Sequence, residues 1–348
     1  MRSLIEIDGS FGEGGGQMLR TALTLSCVLG RPFRIFNIRK NRREPGLKPQ
    51  HLAAIKAATA ITGAKALGAH IGSSELAFGP ETIRPGVYSF DVAEERGSAG
   101  SALLVFQTVS IPLLFCETPS RVSVRGGTHV PWAPVADFIK EVYLPALSRF
   151  GASIDFKCPL AGFYPAGGGV IEWRSEPSGA LSPVNLPGRG AMLRLTVTSS
   201  VSNLPDEIAR RQLKSASVRL KGYPVEGRVI STPSPGQGTF IFILAEFENI
   251  RAGFSALGAR GKRAEVVGNE AAEAFLKYME SGSPIDKHLA DQILIPMALA
   301  RGPSAMTVEE VSGHLETNIH VIEKFLPVRF DIDGRTVSIE GAGVGRGG

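Results

Sequence analysis

A single histidine near the end of the chain has a sequence context suited to nucleophilic chemistry. His314 follows a β-type run that breaks at Ser312-Gly313, and it precedes a predicted helix that Thr317 or Asn318 could cap. The helix dipole at such an N-terminus disfavours an imidazolium and favours an anionic ligand. A neutral imidazole facing a phosphate is the form that a nucleophilic histidine needs. A solvated or capping histidine is the alternative, and this motif alone does not decide between them.

A glycine-rich segment near the start of the chain is a second candidate for phosphate chemistry. It reads Asp8-Gly-Ser-Phe-Gly-Glu13-Gly-Gly-Gly-Gln17-Met-Leu-Arg20, between a predicted strand and a predicted helix. Its glycines would let the backbone turn tightly and approach a ligand closely. The segment has neither the Gly-Lys-Ser/Thr of a P-loop nor a G-x-G-x-x-G motif, so a purely structural turn is the alternative.

Positive charge clusters between positions 31 and 48, where seven basic residues accompany one acidic residue. The cluster includes Arg39 and Arg42 and surrounds a Pro-Gly turn that leads to Gln50 and His51. Guanidinium groups bind phosphate oxygens well, so the segment could hold phosphate groups. A solvated basic loop is the competing interpretation.

Two further polar features lie in apolar surroundings. Gln107 falls inside a run of Leu, Val and Phe that predicts a buried helix, where an unpaired amide costs on the order of 1–3 kcal/mol. A neighbouring backbone group or a bound ligand could pair with it. Farther along, His288, Asp291 and Gln292 follow the spacing of one helix face and could bind a ribose and a base. The wet side of an ordinary amphipathic helix is the alternative.

The order of predicted elements indicates a repeat. Residues 33–67, 121–156 and 307–332 each suggest a strand, a turn with a histidine (His51, His129 or His314), a helix and a strand. A strand at 88–92 and a glycine-containing turn at 94–101 precede the second of them. This alternation favours an α/β (α+β) fold of layered sheets and helices. We predict a large domain formed by residues 1–185 and 282–348, interrupted by a smaller α/β domain at 186–281.

Composition restricts the class of protein. The chain has 348 residues, of which 43% are hydrophobic and 20% charged, as in an ordinary globular protein of two domains. The excess of 38 basic over 33 acidic residues is compatible with a polyanionic substrate. Three widely spaced cysteines predict neither disulfides nor a zinc site. No signal peptide or membrane span is recognisable, so we expect a cytoplasmic protein with no membrane contact.

Taken together, the motifs resemble those of the RNA 3′-terminal phosphate cyclase family along nearly the whole chain. Six of them occur in order: Gly12-Glu13-Gly-Gly-Gly-Gln17-x-x-Arg20, Ile38-Arg39-x-x-Arg42-x-x-Pro45-Gly46-Leu47-x-x-Gln50-His51, Gly126-Gly127-Thr128, Gly162-Phe-Tyr-Pro165-x-Gly167-Gly-Gly169, His288-Leu-Ala-Asp291-Gln292 and His314-x-x-Thr317-Asn318. The resemblance implies three repeated α/β units with a smaller domain inserted before the last of them. It also implies an ATP-dependent conversion of an RNA 3′-phosphate into a 2′,3′-cyclic phosphate, through a histidine–AMP and an RNA(3′)pp(5′)A end.

The same resemblance implies roles for individual residues. His314 would be the nucleophile, and Glu13 would hold a divalent metal, Mg²⁺ or Mn²⁺, on the triphosphate. The remaining matches would bind ATP or the RNA end: Gln17, Arg20, Arg39, Arg42, Gln50, His51, Gln107, Pro131, His288, Leu289, Ala290, Asp291 and Gln292. Among these, Pro131 and the ring of His288 are the candidate faces for the adenine base.

The sequence departs from the family pattern at Ala161, where an arginine or histidine is usual, and at His288, where a tyrosine also occurs. Two alternatives remain open at this stage. One is a cyclase-like ribosome-assembly factor without catalytic activity, against which the presence of His314, Glu13 and the basic motif argues. The other is a small-molecule enzyme that resembles an enolpyruvyl transferase, which would not need His314. The RNA used, the choice of metal and the formation of a homodimer are likewise open.

Overall fold

The computed structural model describes residues 4–93 and 100–345. Most of the turn predicted at 94–101 therefore lies outside the described residues. The protein is an α/β structure, as predicted, and the strands of the described residues form four sheets of four strands. Three of these sheets share one topology and belong to three repeated units.

The first unit contains two helices and four strands: β1 (Ile5–Asp8), α1 (Gly16–Leu29), β2 (Phe33–Phe36), α2 (Pro49–Thr62), β3 (Lys65–Leu67) and β4 (Leu76–Gly79). Its strands lie in the order β1-β2-β4-β3. Strands β1 and β2 are parallel, whereas β4 is antiparallel to both β2 and β3. The parallel pair needs a crossover connection, which α1 provides.

The second unit repeats this pattern in the order β5-β6-β8-β7. Its elements are β5 (Val87–Asp91), α3 (Ala102–Leu114), β6 (Ser120–Gly126), α4 (Ala136–Phe138), a π-helical turn (Ile139–Tyr143), α5 (Leu144–Ser148), β7 (Ile154–Leu160) and β8 (Gly169–Ser175). Every residue of α3 except Gln107 is buried, because this helix packs against both α1 and α2. The prediction of a buried helix at this position is confirmed.

A fourth sheet interrupts the third unit after its first strand, β9 (Asn185–Leu186). The intervening elements are β10 (Met192–Ser202), α6 (Asp206–Arg219), β11 (Val225–Ser231), β12 (Gly238–Phe247), β13 (Arg251–Leu257) and α7 (Ala264–Ser281). They form the sheet β11-β10-β12-β13, on which α6 and α7 pack. The division of the chain into domains at 185/186 and 281/282 stays a prediction.

The third unit resumes with α8 (Lys287–Gln292), α9 (Leu294–Leu299), β14 (Arg301–Thr307), α10 (Gly313–Phe325), β15 (Phe330–Asp333) and β16 (Thr336–Ala342). Its sheet order, β15-β16-β14-β9, is the order of the other two units read from the opposite edge. The three segments recognised in the sequence are thus only the middle part of each unit, which begins at least one strand and one helix earlier and ends one strand later. No helix among residues 4–93 and 100–345 is long and apolar enough to cross a bilayer.

Two local predictions near His314 were wrong. The β-type run was expected to reach Ser312-Gly313, but strand β14 ends at Thr307. Helix α10 begins at Gly313 with Ser312 as its N-cap, and the Ser312 hydroxyl accepts a hydrogen bond from the Leu315 amide at 3.2 Å. Thr317 is instead buried in the second turn, where its hydroxyl donates to the Gly313 carbonyl at 2.6 Å.

Candidate active site

His314 occupies the first turn of α10, with its side chain about half exposed. Its Nε2 atom lies 3.2 Å from the Oε2 atom of Glu13, which belongs to the glycine-rich segment. The partly exposed imidazole therefore stands at a helix N-terminus and beside a carboxylate. These surroundings suit a histidine that meets an anionic ligand.

The glycine-rich segment runs along the surface of α10. Glu13 contacts His314, Gly12 lies against the Thr317 side chain, and the ring of Phe11 stacks on His320. Successive segment residues thus meet helix positions three apart, so each contact is next to the following one on the helix surface. At Gly12, φ is +56° and a Cβ atom would lie 2.5 Å from the Thr317 hydroxyl oxygen, so glycine is required.

Arg42 brings the basic loop to the same carboxylate. Its Nη2 atom lies 3.5 Å from Glu13 Oε2, and both side chains are partly exposed. Arg39 has a different environment, since its Nη1 atom donates to the carbonyls of Glu44 and Gly46 at 2.8 and 3.2 Å. Arg42 therefore faces the candidate site, whereas Arg39 holds the loop in shape.

His51 is part of the helix rather than the preceding turn, as the third residue of α2. Its Nδ1 atom accepts a hydrogen bond from the Lys48 amide at 2.9 Å, and its Nε2 atom points at Gly16, where a Cβ atom would lie only 2.2 Å away. Burial, aided by the charge of Arg20, lowers the pKa of His51 to about 3, so the ring is neutral. His51 thus joins α2 to the start of α1. Gln50, beside it, is partly buried.

Helix α8 is tied to α1 and α10 through Asp291. The Gln17 amide donates to Asp291 Oδ2 at 2.5 Å, and the Asn318 amide donates to the Asp291 carbonyl at 3.0 Å. Asn318 also accepts a hydrogen bond from the Thr21 hydroxyl at 2.7 Å. Burial raises the pKa of Asp291 to about 7, against the opposing effects of Gln17 and Arg20. Burial also lowers the pKa of Arg20, to about 10.

The partner of Gln107 is another side-chain amide. Gln107 donates to Gln292 Oε1 at 2.9 Å, and Gln292 donates to the carbonyl of His288 at 2.7 Å. This chain links α3 to α8, beside the exposed ring of His288. Leu289 and Ala290 are fully buried, which leaves only their backbone atoms for contact with a nucleotide.

Pro131 lies in the segment between β6 and α4 and is exposed. The adjacent Trp132 was not recognised from the sequence, although its indole is the most exposed large hydrophobic side chain described. Phe11 and His320 were also missed, because a stacked pair between distant positions has no sequence signal. The cap at Ser312 could have been found, since a serine directly before Gly-His is a usual helix start.

The described residues could hold a divalent cation only if a bound ligand supplied further oxygen atoms to it. No group of three or more potential metal ligands occurs within the described ranges 4–93 and 100–345. Glu13 provides one partly exposed carboxylate. Mg²⁺ commonly binds through one or two carboxylates together with substrate phosphates, so a single carboxylate is compatible with a metal carried by a triphosphate.

Fold and site together define an α/β protein of three repeated units, in which a histidine, a carboxylate and an arginine from separate units or loops meet. A sequence model of the RNA 3′-terminal phosphate cyclase family matches residues 11–332. The chain belongs to this family.

Several relatives share about two fifths of their residues with this chain over nearly its full length. An RNA 3′-terminal phosphate cyclase of Pyrobaculum neutrophilum is 41% identical, over 98% of this chain and 99% of the relative. Relatives of the same name from Ralstonia nicotianae and Salmonella enteritidis are 44% and 42% identical, over 94% and 96% of this chain and 93% and 96% of their own. A solved enolpyruvyl transferase, NikO from Streptomyces tendae, aligns with a TM-score of 0.27 and 12% identity over 99% of this chain and 83% of its own, which supports no assignment.

Proposed function

We propose that this protein is an ATP-dependent RNA 3′-terminal phosphate cyclase in which His314 carries AMP covalently. Membership of the family supports the overall reaction. The observation that carries the assignment of His314 is its position at the start of α10, with Nε2 3.2 Å from the Glu13 carboxylate and that carboxylate in turn beside Arg42. ATP and an RNA with a 3′-terminal phosphate are the substrates.

The first step is attack by a ring nitrogen of His314 on the α-phosphorus of ATP. A P–N bond forms, the P–O bond to the leaving group breaks, and pyrophosphate departs. The N-terminus of α10 and the guanidinium of Arg42 would stabilise the negative charge on the phosphate oxygens. A divalent cation held by Glu13 would neutralise charge on the triphosphate.

The second and third steps transfer and then expel AMP. An oxygen of the RNA 3′-phosphate attacks the phosphorus of the histidine–AMP, which restores the imidazole and yields an RNA(3′)pp(5′)A end. The neighbouring 2′-hydroxyl then attacks the RNA 3′-phosphorus, AMP leaves, and a 2′,3′-cyclic phosphate remains. The prior transfer of AMP is needed because a phosphate monoester has no good leaving group of its own.

The adenosine site is proposed to lie along α8. The hydrogen-bonded amides of Gln107 and Gln292 would receive polar groups of the nucleotide. Pro131 and the His288 ring would offer faces for the base, and Asp291 would hold Gln17 in position. Glu13, Arg20, Gln50 and His51 complete the proposed set around the phosphates, with His51 acting through Gly16 rather than by direct contact.

The direct test is incubation of the protein with ATP labelled at the α-phosphate. We expect covalent label that is labile in acid and stable in base, as a phosphoramidate is, and that is transferred to 3′-phosphorylated RNA. A family member that acts only as a binding or assembly factor would take up no covalent label. A cytoplasmic location and a homodimer stay predictions.

A further inference from the structure

Trp132 is displayed to solvent in an unfavourable conformation. Its side chain is 98% exposed, and its φ of 65° lies in the left-handed region that bulky residues avoid. An indole of this size usually contributes to stability by being buried. Neither feature helps the chain to fold, so both point to a ligand for the ring.

The segment that carries Trp132 is firmly held. The amides of Thr128 and His129 both donate to the carbonyl of Gly162, at 2.9 and 3.0 Å. The buried His129 ring also lies 3.0 Å from the Asp137 carboxylate, through Nε2. These contacts fix the backbone at the start of the segment, three residues before Trp132.

The repeat places Trp132 at the same end of the molecule as the candidate active site. Its segment follows β6, just as the basic loop follows β2 and the His314 turn follows β14. The first and third units meet where Glu13 lies beside His314. The second unit joins them where Gln107 bonds to Gln292. In α/β sheets, ligands bind beyond the carboxyl ends of strands, which is where all three segments lie.

A second exposed aromatic residue lies on the adjoining segment. Tyr164 is 67% exposed, and it follows Phe163, which forms a β-bridge with His129. Two flat, exposed rings on neighbouring segments suit nucleobases, which stack on aromatic side chains whatever their identity.

We propose that Trp132 is a stacking platform for a nucleobase of the RNA substrate, separate from the base of ATP. This inference rests on the proposed function, since the substrate is taken to be RNA with a 3′-phosphate. The inference extends that function by a contact between the protein and a base of the RNA strand.

The two tryptophans of the chain make the proposal directly measurable, because Trp173 is buried and only 3% exposed. Trp173→Phe, which also removes an indole N–H without a partner among the described residues, leaves Trp132 as the only tryptophan, whose emission can be excited selectively over that of the five tyrosines. Titration with a single-stranded RNA ending in a 3′-phosphate should quench the Trp132 emission in a saturable manner. Absence of quenching at any RNA concentration that saturates binding would overturn the proposal.

Substitution provides the second readout. Trp132→Ala should weaken RNA binding by about 5- to 150-fold, the range for loss of one stacked base, while Trp132→Phe should retain most of the affinity. Leu67→Ala is the matched control, because Leu67 is 72% exposed on β3, outside the proposed surface. An RNA lacking its terminal bases but keeping the 3′-phosphate should bind the wild type and Trp132→Ala equally.

Two outcomes separate this proposal from its alternatives. If Trp132→Ala weakens ATP binding as much as RNA binding, the ring belongs to the adenosine site and the proposal is wrong. If wild-type protein forms no covalent AMP but RNA still quenches Trp132, the proposed function fails while the stacking contact stands.

Discussion

The ring of Phe11 stacks on the imidazole of His320, with centroids 3.8 Å apart and planes 15° from parallel. This contact is made by the same segment that brings Glu13 to His314, two residues farther along the chain. It therefore fixes the far end of the segment that delivers the carboxylate. A stacked pair of this kind contributes on the order of 0.5–1.5 kcal/mol.

We predict that Phe11→Ala slows the self-adenylation of His314 by about tenfold, the equivalent of roughly 1.4 kcal/mol in the barrier. The physical reason is a looser placement of Glu13, and Phe11→Tyr should behave like the wild type because it keeps the stack. Rates of label uptake from ATP would be compared at saturating nucleotide. An unchanged rate in Phe11→Ala would show that the stack does not position Glu13.

His314→Ala and His314→Asn should each abolish covalent AMP formation. The side chain is half exposed, so the free energy of unfolding should change by no more than about 0.5 kcal/mol. Label retention and a denaturant titration would be measured on the same preparations. Label on either variant would mean that another residue is the nucleophile.

Arg42→Ala should reduce adenylation or cyclisation by on the order of 100-fold, as loss of a charge-stabilising donor does at a reacting phosphate. Lys40→Ala is the matched control, because Lys40 is an exposed cation of the same loop that does not match the family motif. Similar small effects from both variants would identify the loop as solvated surface.

The buried carboxyl of Asp286 should make stability depend on pH. Asp286 caps α8 by accepting from the amides of His288 and Leu289, and burial raises its pKa from 3.8 to about 7, with Glu309 and Asp291 adding repulsion. The folded state therefore binds the Asp286 proton more tightly than the unfolded state does. The stability contributed by this protonation is complete below about pH 4 and is lost as the pH rises through about 7.

Asp286→Asn keeps an oxygen for the cap and removes the buried charge. It should stabilise the protein at pH 8, by on the order of a few kcal/mol, and change little at pH 4. Asp291, whose pKa is also raised to about 7, should preserve part of the pH dependence. Unfolding by denaturant at the two pH values tests this, and equal effects at both would contradict it.

The inserted sheet carries a basic helix whose charges are not equivalent. Arg211 on α6 forms two hydrogen bonds with Glu265 of α7, at 2.8 and 3.0 Å, and Arg219 pairs with Glu273 at 3.2 Å. Arg210 and Lys214 are exposed, and neither forms an ion pair in the part of the chain that the structure describes. Of these four side chains, Arg210 and Lys214 are therefore the two available for contacts with RNA.

We predict that reversing the charge of Arg210 and Lys214 weakens the use of long 3′-phosphorylated RNA and leaves self-adenylation intact. Each lost phosphate contact should lower the salt dependence of binding by about 0.7 in the log–log slope. Arg211→Glu serves as the comparison, since it should mainly loosen the contact between α6 and α7. If the variant uses long RNA normally across a salt titration, the inserted sheet does not hold RNA and is a structural element.

Much of the fold was predictable because its signals are local. The buried helix at 102–114 follows from an apolar run, and the repeat follows from alternating strands and helices. The predicted start of α10 was too late, because Thr317 and Asn318 are caps by residue type but are drawn into the interior by contacts with Gly313 and Thr21. The Ser312 cap was the local signal that the prediction overlooked. The full length of each repeated unit was missed, because the pairing of its first strand with the later ones depends on contacts between distant residues.

The sequence by itself determined which residue types are present for phosphate chemistry and the order in which they occur, because motifs and periodicity depend on neighbours in the chain. Only the tertiary structure decided which of them meet. It placed Glu13 against His314 and Arg42, and it turned Arg39 toward the carbonyls of its own loop. Contacts between positions so far apart depend on how the three units pack, and packing leaves no local pattern in the residues that it brings together.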